Sequence, residues 1–286
     1  MVARRGQART NETNCGRDLS MDLQLAGKKA VVTGGSRGIG KAIAWELARE
    51  GVDVAIVARH IEALRETAEE IAGATGRTIV PIIADTTDTD SVKGMAERAI
   101  SALGQVDILV NNAAQPGGGG GNPPLEGVLD ETFQAEMNTK VLGYLRCVRA
   151  FAPHMKELGW GRVVNISGLA ARQTGNVVGS MRNVAVAAMT KNLADELGPF
   201  GINVTVVHPG LTWTERMPRL LEEQAQRRGG SVEAARERMA EGNSIRRIVD
   251  ASDIAAIVVF LASPRSIAIN GDAIAAGGGA RGAIHY

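Results

Sequence analysis

Short apolar runs and helix-period segments alternate along most of the chain. KKAVVTGG (28–35) is an apolar run that closes on glycines, and IGKAIAWELAREG (39–51) follows with Ile39, Ile43, Leu47 and Ala48 on one helical face. The strand signal recurs in VDVAIVAR (52–59), TIVPIIAD (78–85), VDILVNNAA (106–114), GRVVNIS (161–167), INVTVVHPG (202–210) and AINGDAIAAGGG (268–279). Helical segments at about 61–72, 91–104, 131–157, 179–197 and 250–263 fall between them, the last opening on Asp250 or Ser252 as cap. Pro81 weakens the third strand locally. Strands this continuously apolar suit a parallel sheet covered on both faces. The pattern predicts one α/β unit: a doubly wound parallel sheet of about seven strands beginning near Leu23.

Two regions break the rhythm. QPGGGGGNPPLEG (115–127) follows the fourth strand and cannot hold a rigid shape cheaply. The segment from Leu211 to Asn243 follows the sixth strand and carries helix formers. Both lie beyond the C-terminal ends of strands, where open sheets bind ligands. They read as a flexible mouth and a helical lid at about 211–243; two plain surface insertions are the alternative. Residues 1–22 are polar and aperiodic, and predict a disordered tail ahead of a single nucleotide-binding domain over 23–286. No apolar run follows the N-terminal arginines, which argues against a secretory signal.

Composition narrows the picture by exclusion. With 286 residues and 44% hydrophobic content the chain supports one sizeable core. A formal charge of +1 gives no reason to expect a nucleic-acid or membrane partner, and no 18-residue run is apolar throughout. Cys15 and Cys147 are too few for a disulfide scaffold and read as free thiols. These features predict a cytoplasmic protein acting on a small-molecule substrate, with no bound metal.

The first strand meets the first helix through T33-G-G-S-R-G-I-G40. Gly34 allows the tight turn, Gly38 close backbone approach and Gly40 helix packing. Ser36, Arg37 and Ile39 complete the loop, and the helix offers its unpaired N–H groups to a pyrophosphate. The second strand ends in Ala58-Arg59, with no acidic residue to hold a ribose 2′-hydroxyl. Arg59 and Arg37 suit a 2′-phosphate, which favours NADP(H) over NAD(H).

From about residue 23 to 279 the layout resembles the short-chain dehydrogenase/reductase superfamily in its classical form. TGGSRGIG resembles the family's TGxxxGxG, NNAA (111–114) its NNAG with Ala114 for glycine, HPGLTWT (208–214) its PGxxxT region, and INGDAIAAGGG its final strand. The resemblance implies that Asp85, followed by Thr86, contacts adenine, and that Asn112 and Ala113 lie beside the cofactor. It places Pro209, Gly210, Thr212 and Thr214 near the nicotinamide end, and Asn138, in MNTKVLG, in the catalytic tetrad. It also implies a homodimer or homotetramer.

The same resemblance exposes a gap. NVAVAAMTKNLADEL resembles KAAVxxxTKxLAxEL, which sets Asn183 at the family's lysine and Gly179 at its tyrosine. The serine position falls on Gly168, with Ser167 immediately before it. The chain's two tyrosines, Tyr144 and Tyr286, have no lysine four residues on. Asn183 can hydrogen-bond a ribose but carries no charge to lower a neighbour's pKa. Asn138 and Ser167 are the remaining catalytic candidates. His208 titrates near neutral pH in ordinary surroundings, although a ring facing away from the site is the simpler expectation. With Gly179 in place of a ring, a void is expected there. Trp213, Met217 and Met239 either line the pocket or pack the lid. The sequence supports an atypical NADP-dependent oxidoreductase that works without the usual tyrosine. A catalytically inactive NADP-binding sensor or partner protein, or a non-redox lyase or isomerase, remains open beside it.

Overall fold

The computed structural model describes residues 21–114 and 124–281. Residues 1–20 of the expected tail (1–22), the five-glycine run and Tyr286 fall outside those residues.

Seven strands form a parallel sheet in the order β3-β2-β1-β4-β5-β6-β9. In chain order β1 (Lys29–Thr33) leads to α1 (Gly38–Arg49), β2 (Asp53–Ala58) to α2 (Ile61–Thr75), and β3 (Ile79–Ile83) to α3 (Thr89–Leu103). Then come β4 (Ile108–Asn111), α4 (Asp130–Glu136), a π-helical turn (Met137–Leu142) and α5 (Gly143–Leu158). The chain continues through β5 (Gly161–Ile166), α6 (Val177–Leu197) and β6 (Ile202–Pro209). The lid follows as β7 (Thr212–Trp213), α7 (Met217–Arg228) and α8 (Val232–Ala240). It returns through β8 (Val249–Asp250) and α9 (Ala251–Ala262) to β9 (Ala273–Ala276).

Alternation within the strands builds two cores. Val32, Ile56, Ile108 and Val164 face one side with Ile43, Leu47, Ile71 and Val258 of the helices. Val31, Val57, Leu109 and Val163 face the other with Met95, Phe151 and Leu197. Burial on both faces explains why the strands read as unbroken apolar runs. Pro81 is tolerated because β3 is the sheet edge and pairs only with β2.

The strand order reverses direction between β1 and β4, and the C-terminal ends of those strands open the crevice where such sheets bind dinucleotides. The lid stands over that crevice. β7 pairs with β8, so the segment leaves and rejoins the body at one place. Met217, Leu221, Ala225, Ala235 and Ile248 form its own small core, with Trp213 and Met239 packed against it. The three lid residues considered as pocket lining therefore pack the lid. Among the described residues no helix is long and apolar enough to cross a membrane.

Candidate active site and cofactor cleft

The phosphate loop has the geometry that its glycines suggest. Gly34 has φ +66° and Gly38 φ +58°, both in the left-handed region. A Cβ on Gly40 would stand 2.1 Å from the Gly34 carbonyl oxygen, so α1 reaches the turn only through glycine. Asn112 ties the loop together: its Nδ2 donates to the carbonyls of Thr33 (3.2 Å) and Gly34 (3.1 Å). The side chain expected beside the cofactor thus shapes the loop that receives it.

The N-terminus of α1 already holds an anion. The Gly38 N–H lies 3.0 and 3.2 Å from the two carboxylate oxygens of Glu215. The space above Gly38 is otherwise open, with Thr214 Cγ2 at 3.6 Å from an added Cβ. A negative group at a helix N-terminus is favoured by the exposed N–H donors and the helix dipole. The Glu215 carboxylate occupies the kind of position a pyrophosphate oxygen takes, so the residues present fit the nucleotide. Across a hollow of about 400 Å³, Trp213, Thr214, Glu215 and Pro218 of the lid face Gly38, Lys41 and Trp45 of α1. A larger hollow of about 720 Å³ lies at the outer edge of β3, between Ile61, Pro81, Ile83 and Arg98, away from the crevice.

At the adenosine end Asp85 sits in a turn, its Oδ1 accepting from the Thr87 N–H and hydroxyl. Burial pushes its carboxyl up, but those two hydrogen bonds, with Arg59 and Arg146 nearby, hold it below the usual carboxylate range. The Arg59 charge thus acts on Asp85 at this end of the sheet. Arg59 and Arg37 are exposed at the ends of β2 and the loop. Thr86 is buried, and its carbonyl accepts from Arg146.

The nicotinamide end holds the unexpected feature. Ser167 and Asn183 do come together: the Ser167 hydroxyl donates to the Asn183 carbonyl at 3.2 Å. Between them lies Lys140, whose ammonium donates to the Ser167 carbonyl (2.9 Å) and to Asn183 Oδ1 (3.1 Å). Lys140 is buried, and loss of hydration brings its pKa from the ordinary 10.5 down to about 7.

Asn138 is not in this cluster, which corrects the expectation from the resemblance. Its Oδ1 accepts from Arg146 Nη2 at 2.9 Å, and Arg146 also bonds Thr89 Oγ1. The π-helical turn adds a residue to the helical repeat between Asn138 and Tyr144 and presents Lys140 inward. A lysine in a polar run gave no sign of this, because an interrupted helix carries no simple sequence period.

Gly168 and Gly179 each lie against a side-chain amide. A Cβ on Gly168 would lie 3.0 Å from Asn183 Nδ2, so a side chain there would crowd the amide. Beside Gly179 the expected void is taken by Asn176, which accepts the Gly179 N–H at 2.6 Å as the cap of α6. An added Cβ at 179 would meet Asn176 Oδ1 at 3.2 Å.

His208 faces the site, against the simpler expectation. Its Nδ1 accepts from the Gly168 N–H at 3.4 Å, which places the ring proton on Nε2. Burial, then the charges of Arg172 and Lys140, lower its pKa to about 4, so the ring is neutral. Tyr144 supplies no acid: it is fully buried, its hydroxyl donates to the Ile166 carbonyl at 2.8 Å, and burial raises its pKa. At the end of β6, Gly210 donates to the Ala276 carbonyl and Thr212 returns a hydrogen bond to the Gly210 carbonyl. Pro209 closes β6 beside Ala276. This run leads Thr214 and Glu215 to the phosphate loop.

A parallel sheet of this order, with a glycine loop at its switch point and a buried polar cluster beyond β5 and β6, defines a nucleotide-dependent Rossmann-fold protein. Comparison with known proteins gives the family. Residues 28–225 match the short chain dehydrogenase family model, and the chain belongs to that family. It is 34% identical over 251 residues to the short-chain reductase protein NovJ of Streptomyces niveus, covering 87% of this chain and 92% of the relative. L-sorbose reductase from Gluconobacter frateurii, solved with NADPH and L-sorbose, is 30% identical. It superposes with a TM-score of 0.86 over 92% of this chain and all of that one. An NAD+-bound xylitol dehydrogenase is 26% identical, with a TM-score of 0.81 over 90% of this chain and all of that one.

Proposed function

We propose that this protein is an NADP(H)-dependent oxidoreductase that acts on a small carbonyl or alcohol substrate without a phenolic acid at position 179. The observation that carries the reading is the buried Lys140–Ser167–Asn183 cluster at the sheet's C-terminal edge. Burying an ammonium is unfavourable, and keeping one beside the Ser167 hydroxyl and the Asn183 amide supports a working polar site. This favours an enzyme over the inactive sensor. The solved NADPH and L-sorbose complex of a relative at 30% identity supports both cofactor and substrate class.

In this reading the α1 N–H groups and the Gly34–Gly38 turn bind the pyrophosphate, displacing the Glu215 carboxylate. Arg59 and Arg37 hold the 2′-phosphate by charge-assisted hydrogen bonds, and Asp85 turns toward adenine. When bound, the reduced nicotinamide supplies the hydride. Asn183 Nδ2 holds the ribose. Ser167, whose hydroxyl proton is engaged by Asn183, has lone pairs free to accept from a substrate hydroxyl. Neutral His208 offers its Nε2–H as a donor. Assembly as a homodimer or homotetramer and a cytoplasmic location belong to the same proposal, the first testable by light scattering.

The test is NADPH oxidation with a panel of ketoses including L-sorbose, simple ketones, enones and imines. The expected outcome is turnover of at least one class, reduced by Ser167→Ala. Tight NADPH binding with no acceptor turned over contradicts it and favours the sensor.

A further inference from the structure

The reading above, on which this inference rests, leaves one requirement unassigned: the positive charge that position 183 lacks. We propose that Lys140 is the lysine of this site. Delivered from the π-helical turn instead of from α6, its ammonium replaces the missing charge and fixes the Asn183 amide toward the nicotinamide ribose. It is a positioning residue, acting through Asn183.

The geometry carries the assignment. A lysine ammonium has three donors and no acceptor. It must therefore meet the oxygen of the Asn183 amide, 3.1 Å away, and turn Nδ2 to the opposite side. Nδ2 then lies over Gly168, where a Cβ would approach to 3.0 Å. Lys140, Asn183 and Gly168 are thus one coupled set. The lysine orients the amide, the amide points at the cleft, and the glycine leaves it room. The second bond, to the Ser167 carbonyl at 2.9 Å, anchors the ammonium to the end of β5.

The groups around Lys140 leave its charge uncompensated. From β6 faces His208, which is neutral. From α6 faces Asn183, and its neighbour Arg182 is already paired with Glu136 of α4. Arg172 donates to the Ala273 carbonyl and acts on His208. On the lysine's own side Tyr144 and Cys147 are buried, with thiol and phenol both pushed up, the thiol to about 12. Among the described residues no carboxylate lies within 4.0 Å of the Lys140 nitrogen. Two of its N–H groups serve Asn183 and Ser167. Loss of the third proton changes the charge and leaves both bonds in place. The site is therefore built to keep its shape while its charge falls as pH rises through about 7.

The test is the NADPH dissociation constant, by fluorescence titration at pH 6 and pH 9, of the wild type, Lys140→Met and Lys140→Arg. Removing the nearby cation should weaken binding by about 10-fold. The wild type should weaken by that factor from pH 6 to 9 relative to Lys140→Arg, which stays charged. Lys140→Met should be weak at both. In turnover, Lys140→Met should lower kcat more than it changes the acceptor KM, and the exchange Lys140→Asn with Asn183→Lys should restore part of kcat. A Lys140→Met variant that keeps the wild-type pH dependence of NADPH binding overturns the inference. If Lys140→Met does not fold, a nitrogen-15 lysine titration of the wild type decides. A Lys140 signal titrating near 7 supports the inference, and one titrating near 10 overturns it. Failure of every variant and the wild type to bind NADPH overturns the cofactor reading itself.

Discussion

Lys140 should impose a measurable pH dependence on stability. In the unfolded chain its amine stays protonated up to its ordinary 10.5, whereas the folded protein releases the proton near 7. Between those values the unfolded state binds a proton that the folded state does not, so stability rises with pH across that window. The penalty is fully present below about 7 and vanishes above 10.5. At 1.36 kcal/mol per pH unit of displacement, it amounts to about 4 kcal/mol at pH 7 and about 2 kcal/mol at pH 9. Lys140→Met removes this dependence. It also leaves the Ser167 carbonyl and Asn183 Oδ1 without their donor, a loss of about 1–3 kcal/mol for each acceptor that does not vary with pH. Urea unfolding of cofactor-free wild type and variant at pH 7, 8 and 9 isolates the difference, because the other titrating groups cancel. The wild type should gain about 2 kcal/mol relative to Lys140→Met from pH 7 to pH 9. A difference that stays flat, or falls, refutes a desolvated, titrating Lys140.

Three further outcomes follow from the cleft. Arg59→Asp should raise the NADPH dissociation constant by about 10- to 100-fold, the worth of hydrogen bonds to a charged group, and leave NADH binding little changed. Calorimetry with both cofactors checks this. Glu215→Gln should tighten NADPH binding by about 2- to 5-fold at low salt, because a competing carboxylate leaves the α1 N-terminus. The gain should shrink as salt rises. Gly40→Ala places a methyl 2.1 Å from the Gly34 carbonyl oxygen. It should lower unfolding stability by about 1–3 kcal/mol and abolish NADPH binding, measured by thermal melts with and without cofactor.

Most of the fold was legible because burial on both faces of a parallel sheet writes itself as apolar runs, and amphipathic helices write a 3.6-residue period. Pro81 read as a weakness, and its place on an edge strand explains why the strand survives it. The phosphate loop was legible because its glycines answer to steric needs that recur wherever a strand turns into a phosphate-binding helix. The catalytic end was less so. Asn138 stands in a helical run that the π-helical turn interrupts, and an interrupted run has no simple period to read, so the residue presented inward is Lys140 and not Asn138. The resemblance marks Gly179 and Asn183 as departures from the family's tyrosine and lysine, but the residues that pack against them left no mark in the sequence. Asn176 folds back over Gly179, and Lys140 reaches Asn183 across 43 positions of chain. Glu215 at the α1 N-terminus was invisible for the same reason, being 177 residues from Gly38. Contacts of that kind leave no local pattern.

On the proposal above, a charge from Lys140 and an amide at Asn183 sustain NADPH-dependent reduction where no phenol stands at 179. The pH profile of kcat/KM for NADPH-dependent reduction of an accepted carbonyl substrate, in the wild type and in Lys140→Met, tests this. The wild type should lose activity as pH rises through about 7, the value to which burial brings Lys140, and the variant should be slow with that limb absent. An unchanged limb in Lys140→Met, or a protein that holds NADPH and reduces nothing, would contradict it.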